Sequence, residues 1–335
     1  MSVGETQLGD VAAKIELGGT NNPAAFDAYL RGARLLATAE GETNMNAAIS
    51  AFTDAIRLDP HYALAFAARA RARTTLGGIV NTVAESLALY DKAQADARQS
   101  LKLAPNIAEG HLTLASALQS GLNYAQAKEE YERALVLSPG NAQVLRLASR
   151  FEADIGYFDS AIEKSRRAVA LDPLDRTTYF GLGGRLYFGR RHQEAVAAYA
   201  EAIRLDPDYK VPYAMRGLAY YELGDLERAR TDCEAKKDHF IFQVCLALVY
   251  EKLGRTADAK MELEKLKAVG GDSAAYQYAE IYAQWGDTAK ALDWLEVALR
   301  VRDPGLTDLK ADPLLDPLRQ EPRYQAIESQ LRFPN

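Results

Sequence analysis

Side chains that carry most protein chemistry are scarce in this chain: its 335 residues include two cysteines, two tryptophans and four histidines. Two cysteines are too few for a disulfide framework. Cys233 and Cys245 both fall at apolar helical positions, where buried free thiols are expected and a bridge or reactive pair is the alternative. The histidines, His61, His111, His192 and His239, are far apart, and none has a cysteine or carboxylate at metal-ligand spacing. No apolar run approaches the roughly 18 residues that a membrane helix needs. Basic residues are outnumbered, 40 Lys and Arg against 46 Asp and Glu, for a net charge of -6. A nucleic-acid binder usually carries the opposite excess, to neutralise phosphates, so neither nucleic acid nor membrane is an expected partner. The opening Met1-Ser2-Val3-Gly4-Glu5 has neither the basic leader nor the apolar centre of a signal peptide, and a cytoplasmic location is the expectation.

What the chain has is periodicity. Pro105, Pro139, Pro173 and Pro207 are each 34 residues apart. A small residue stands twelve before three of these prolines, a bulky one eight before, and a small one five before. The instances are Ala127, Tyr131 and Ala134; Ala161, Ser165 and Ala168; and Ala195, Tyr199 and Ala202, with the bulky slot failing at Ser165. The pattern resembles the tetratricopeptide repeat, in which one helical hairpin recurs and cannot cover its own apolar face, so that stability comes from stacking. The implied fold is all-α: a right-handed α-solenoid, or superhelix, of about eight hairpins with a C-terminal capping helix. A composition of 48% apolar residues suffices for its core.

The period extends both ways from its regular centre. Residues 1–22 read as an amphipathic lead-in ending in breakers, residues 23–303 as the solenoid, and residues 304–335 as an Asp-Pro-rich cap and helix. In the first repeat Gly32, Ala48, Phe52, Ala55 and Pro60 fit, with a long inter-helix loop over Thr38 to Asn44. The second repeat carries 11 extra residues, about three helical turns, which lengthen its second helix without rotating the stripe Leu87, Tyr90, Ala93, Ala97 and Leu101. Leu-Asp-Pro at Leu58, Leu171 and Leu205 reads as a helix stop. The sixth repeat departs: Lys236-Lys237-Asp238-His239 stands where that stop should be, and Gly254 follows Gly224 by 30 residues. In the tail, Asp303-Pro304, Asp312-Pro313, Asp316-Pro317 and Glu321-Pro322 predict successive turns before a last helix from about Arg323 to Leu331.

The two ends narrow the resemblance. Asn22-Pro23-Ala24-Ala25-Phe26-Asp27-Ala28-Tyr29-Leu30-Arg31-Gly32 at the start, and Arg302-Asp303-Pro304-Gly305-Leu306 with Asp312-Pro313-Leu314-Leu315-Asp316-Pro317-Leu318-Arg319 near the end, are similar to a bacterial group of tetratricopeptide regions. That group resembles the C-terminal halves of adenylate or guanylate cyclases, winged-helix regulators and serine/threonine kinases. The resemblance implies an interaction or sensory domain of a signalling protein.

Enzymatic readings fail on residues. Gly181-Leu182-Gly183-Gly184 lacks the strand before it and the lysine after it that a phosphate loop needs, and reads as close helix packing. His111 sits in an aromatic slot and reads as a core or groove residue, while His61 and His192, beside turns, read as solvated. No cofactor or metal is expected, and the chain is read as non-catalytic; an enzyme of the repeat-containing transferase type is a weaker alternative. The repeat template turns the second, fifth, ninth, twelfth and thirteenth positions of each first helix toward a concave groove. There it places Arg71, Arg146 and Arg150 as charge partners and Phe180, Tyr187, Phe188 and Tyr221 as apolar contacts. The expected partner is a protein or peptide segment carrying acidic and apolar residues. The lysine and asparagine that some such domains use at the fifth and ninth positions to hold chaperone tails are not matched: Ala67 and Arg71, or Arg146 and Arg150, stand there. Self-association into a homodimer, through the extended second repeat and the departure in the sixth, is the alternative function.

Overall fold

The computed structural model describes residues 18–38, 41–80, 82–235 and 240–334. Most of the expected lead-in, part of the long first loop, and the Lys236 to His239 departure lie outside the described residues. Among those described there are 17 α-helices and three 3-10 turns, with no strand. Eight helical hairpins follow one another: α1 (Pro23–Thr38) with α2 (Glu42–Leu58), α3 (Ala63–Gly77) with α4 (Val83–Leu103), α5 (Ala108–Ser120) with α6 (Tyr124–Leu137), and α7 (Ala142–Asp154) with α8 (Phe158–Leu171). Then come α9 (Arg176–Phe188) with α10 (His192–Leu205), α11 (Val211–Glu222) with α12 (Leu226–Glu234), α13 (Phe240–Lys252) with α14 (Thr256–Gly270), and α15 (Ala275–Gln284) with α16 (Thr288–Val301). A last helix, α17 (Pro322–Leu331), lies one residue from its expected start. The chain divides into two compact units, unit 1 up to Pro139 and unit 2 from Gly140.

Within each unit, a first helix packs on its own second helix and on the next first helix. In unit 1 the row is α1, α3, α5; in unit 2 it is α7, α9, α11, α13, α15. Second helices touch one another at most weakly, so the first helices form a continuous inner wall in each unit. The repeat template is the packing that permits this. Ala48, Ala55, Ala127, Ala134, Ala161, Ala168, Ala195 and Ala202 are all sealed from solvent, and at these points two helix backbones approach closely. The bulky slot is half of a complementary pair. The ring of Phe52 lies over Gly32 and that of Tyr199 over Gly183, so closely that a Cβ on either glycine would come within 2.6 Å of the ring. Where the first helix carries serine, the partner changes: Ser116 meets the Tyr131 hydroxyl at 3.2 Å, and Ser149 accepts from the Ser165 hydroxyl at 2.9 Å. Ser165 therefore breaks the template because two small hydroxyls fill the space that glycine and tyrosine fill elsewhere. Gly183→Ala is expected to cost about 1–3 kcal/mol through overpacking against Tyr199. Urea unfolding reads this, and an unchanged midpoint counts against the pairing.

Helix ends follow the sequence. The second helices stop at Leu58, Leu171 and Leu205, capped by Asp59, Asp172 and Asp206, as Leu-Asp-Pro requires. The α4 helix runs 21 residues against 14 in α6, which absorbs most of the insertion. Between paired helices the turn needs a left-handed residue, supplied by Gly156, Gly224, Gly254 and Gly286, but by Leu122 and Arg190 in two repeats. The sixth repeat's second helix, α12, is only 9 residues long.

Two expectations are corrected. Cys233 and Cys245 are bonded to each other rather than free thiols. The glycine-packing site of α11 explains their meeting: Gly217 lets both sulfurs close on the helix backbone, where a Cβ would lie 2.6 Å from one and 3.0 Å from the other. His192 is not a solvated turn residue; it is half-buried, with its ring edge-on to Tyr187 at 5.5 Å, and loss of hydration lowers its pKa.

Candidate functional site

The inner wall of unit 2 is not bare. Residues 303–318, the strap, lie against it as two short 3-10 turns, Pro304–Asp308 and Pro313–Leu318. Asp-Pro starts each turn for a local reason: proline is pre-set for the first helical position while the aspartate accepts a backbone N–H. Asp303 accepts from Gly305 at 2.8 Å and Asp312 from Leu314 at 2.9 Å. The strap alternates aspartates with leucines, and Leu306, Leu309, Leu314, Leu315 and Leu318 are all buried.

The wall holds the strap through three kinds of contact. Main-chain carbonyls are taken by side-chain donors: Gln284 Nε2 donates to Leu314 at 2.7 Å, and Arg190 donates to Ala311. Aspartates are taken by hydroxyl, amide and guanidinium groups. The Tyr276 hydroxyl donates to Asp312 at 3.0 Å, the Tyr276 amide to Asp303 at 3.0 Å, and Arg190 pairs with Asp316 at 2.5 Å. Arg150 and Arg185 lie close enough to Asp308 to draw its pKa down, although burial raises it further. The third contact is apolar, with Leu314 in one cluster with Tyr187, Tyr221 and Leu218. Arg190 is one of the left-handed non-glycine residues, so the turn accepts backbone strain at the position whose side chain binds the strap. The C-terminal helix closes the arrangement: the Tyr324 hydroxyl donates to the Leu309 carbonyl at 2.6 Å, and Arg323 reaches Asp293 and Glu296 of α16.

The residues singled out from the sequence divide among these surroundings. Tyr187 is fully buried; burial and nearby Glu222 push its hydroxyl well above the usual tyrosine range, and that hydroxyl has no hydrogen-bond partner among the described residues. Tyr221 is buried, donating to Gln284 at 3.0 Å, and so braces the donor that grips Leu314. Phe188 is half-buried with its ring on Tyr187 at 5.7 Å. Arg150 is exposed beyond its 3.8 Å approach to Asp154. Nearer the helix starts Phe180, half-buried, lies between Tyr199 at 5.9 Å and Tyr209 at 5.4 Å, while Arg146 lies along Gly181; burial raises the pKa of the Tyr209 hydroxyl, and the charges of Arg176 and Arg146 offset part of that rise. Arg71 belongs to the inner wall of unit 1. It is largely buried beside Tyr29, desolvation lowers its pKa, and among the described residues its side chain has no ion pair or hydrogen bond. Its neighbours on the outer side of the wall are different in kind: Arg69 and Arg73 are both tied to Asp96. His111 is buried between Glu130, 2.6 Å from Nδ1, and the Pro105 carbonyl, 3.0 Å from Nε2.

Sequence reasoning missed Arg185, Arg190, Glu280 and Gln284. Arg185 falls outside the five template positions, and Arg190 is in a turn. The signal that was available is compositional: the tail has the acidic and apolar character expected of the groove's ligand. Among the described residues no group of three His, Cys, Asp or Glu is placed to hold a metal ion. No described helix is long and apolar enough to cross a membrane.

Comparison with known proteins agrees with the helix pairs. The tetratricopeptide repeat family model matches residues 112–176, 153–210 and 180–238. Small glutamine-rich tetratricopeptide repeat-containing protein 2 of Mycosarcoma maydis is 34% identical over 100 residues, 30% of this chain and 28% of that protein. A TPR repeat-containing protein of Methanocaldococcus jannaschii is 26% identical over 152 residues, 43% of this chain and 27% of its own length. The chain thus spans less than a third of the curated relatives it matches. Among solved structures, human IFIT1 in its dimer with m7Gppp-AAAA superposes with a TM-score of 0.60 at 17% identity, over 81% of this chain and 70% of that one. A tetratricopeptide repeat protein of Parabacteroides merdae gives 0.50 at 14% identity, over 74% and 93%. These structural likenesses speak for the fold alone. Proteins with such repeats generally act as scaffolds for protein partners, and residues 112–238 of this chain carry tetratricopeptide repeats, in keeping with its helix pairs and alanine crossings.

Proposed function

We propose that this chain is a non-catalytic scaffold whose inner walls bind acidic, apolar protein segments, as the interaction domain of a bacterial signalling protein. Arg71, Arg146, Arg150, Phe180, Tyr187, Phe188 and Tyr221 are its contact residues. The observation that carries the reading is that unit 2 already holds a segment of this chemistry, its own strap, through arginines, a glutamine and an aromatic floor. Arg71 stands at the same ninth position of its helix as Arg150, without a carboxylate among the described residues. We assign Arg71, Arg146 and Phe180 to a partner in trans and the four residues nearer the strap to the intramolecular ligand. The signalling context rests on the resemblance of both chain ends to tetratricopeptide regions of cyclases and kinases, and a cytoplasmic setting goes with it.

The test is fluorescence anisotropy with a labelled peptide of residues 303–318 added to the native chain. Binding is expected, and truncating Arg71 or Arg146 to alanine should weaken it by about 1–4 kcal/mol each. Equal affinity for the native chain and both variants would remove the groove assignment. Self-association is the second reading, favoured by Phe26 and Leu30, one turn apart on α1 and each nearly half exposed. Light scattering over a concentration series separates the two, since a strict monomer leaves no place for it.

A further inference from the structure

His111 in unit 1 has more acceptors around its ring than a neutral imidazole can serve. Nδ1 lies 2.6 Å from Glu130 Oε2, and Nε2 lies 3.0 Å from the Pro105 carbonyl. A carbonyl oxygen only accepts, and so does an ionised carboxylate, whereas a neutral imidazole carries one N–H and one lone pair. Neither tautomer satisfies both contacts. With hydrogen on Nδ1, the Nε2 lone pair faces the carbonyl; with hydrogen on Nε2, the Nδ1 lone pair faces the carboxylate. The residue is 7% exposed, so water has little room to stand in for a missing partner. The geometry therefore holds one proton more than a neutral imidazole and a carboxylate supply, between Nδ1 and Oε2. The surrounding charges leave this contact to itself. From α6, Arg133 donates to the other oxygen of Glu130 at 3.1 Å, and Glu129 and Glu132 are exposed. On α5 itself Glu109 is exposed, and α4 ends beside exposed Lys102. The arginines of α3 and α4 are engaged elsewhere: Arg69 and Arg73 on Asp96, Arg71 beside Tyr29, and Arg98 on Gln94 at 3.2 Å.

We propose that His111 is a proton-dependent latch between the turn after α4 and helix α6: the protonated ring ties Pro105 to Glu130, and loss of its extra proton releases the Pro105 turn. The turn yields first because it is the weaker side. Around Glu130, Ala127, Tyr131 and Ala134 of α6 are buried, and Arg133 holds the carboxylate. Pro105 and Asn106 are exposed, and the backbone bond that closes their turn, from the Ile107 amide to the Ala104 carbonyl, is long at 3.4 Å. What the latch controls is a groove of about 550 Å3, lined by Pro105 and Asn106 from the turn, by Arg133, Val136 and Leu137 from α6, and by His111. Val136, 81% exposed, gives it an apolar edge. Because turn and helix are tied only through the ring at this point, release of the turn changes the width of the groove. Acid closes the latch, and rising pH opens it. The device belongs to a turn and a second helix, and it stands apart from any partner bound on the inner walls.

Ring-nitrogen NMR and amide hydrogen exchange of the full chain, corrected for intrinsic rates, test it between about pH 5.5 and 8.5, the range in which an imidazole changes charge. At the acid end both ring nitrogens of His111 are expected to carry hydrogen. Toward the alkaline end one of these is lost, and protection of the Ile107 amide should fall with it about tenfold, the weight of one charge-assisted hydrogen bond. The Leu64 amide, bound to the Gly18 carbonyl at 3.0 Å in the same unit, should show no such fall. Glu130→Gln separates charge from packing. Its amide donates to Nδ1 while a neutral ring donates to Pro105, so both bonds form without the extra proton and Ile107 protection should no longer depend on pH. The ring spectrum of the native chain decides the matter alone if that variant does not fold. A His111 ring with a single hydrogen at the acid end, no fall in Ile107 protection, or an equal fall in Glu130→Gln would each overturn the proposal.

Discussion

A chain ended at Arg302 is expected to lose the cooperative unfolding of unit 2, with calorimetry showing a broad, low-temperature transition where the full chain shows a sharp one. The strap is core as well as ligand. Leu306, Leu309, Leu314, Leu315 and Leu318 are all within 2% of complete burial. At about 1.5–3 kcal/mol for each buried leucine, the five supply roughly 8–15 kcal/mol, as much as the whole net stability of an ordinary domain. Removing them also bares Tyr187, Tyr221 and Tyr276, and takes away α17, whose Tyr324, Ile327 and Leu331 cover the last hairpin. This magnitude sets a limit on the strap's behaviour: its full release is too costly. A truncated chain melting within a few degrees of the full one would show that the strap is an appendage.

Arg185→Met is expected to cost about 3–5 kcal/mol, the range for removing one partner from a buried charge cluster. Arg185 is 7% exposed, and burial brings its guanidinium down to about 10 while Asp154 and Asp308 hold it charged. Methionine keeps the aliphatic volume and leaves those carboxyls without their nearest fully buried cation. Adding Asp308→Asn should return 1 kcal/mol or more, because it removes the orphaned acid. Denaturant midpoints of the native chain, both single variants and the double variant form the cycle. Additive effects would mean that Arg185 contributes by packing and not by charge.

The fold was legible in the sequence to the level of single helices because its determinants are local and repeated. The 34-residue period, the alanine crossings and Leu-Asp-Pro each act within one hairpin, so they predict α2, α8 and α10 to the residue at their ends. The failure at Ser165 was visible, but its reason needed Ser149 sixteen residues earlier. The site was legible by halves. Template positions placed Tyr187, Tyr221 and Arg150 on the inner wall, and the tail's aspartates and prolines predicted its turns. That the tail returns to the wall depends on contacts such as Arg190 with Asp316, 126 residues apart, which no periodic pattern encodes. The bonding of Cys233 to Cys245 was hidden for a similar reason: it depends on the short α12 and on Gly217, an element distant in sequence from both.

The central claim is that residues 303–318 return to the inner wall of unit 2. Lys310 offers the most direct measurement, because its Cε lies within 3.6 Å of where a Cβ on Gly156 would stand, in the turn between α7 and α8. A photo-reactive side chain in place of Lys310, activated in the monomeric full chain, should cross-link to residues 154–158 or to Phe188 and Arg190. Cross-links confined to α16 and α17 would contradict the account.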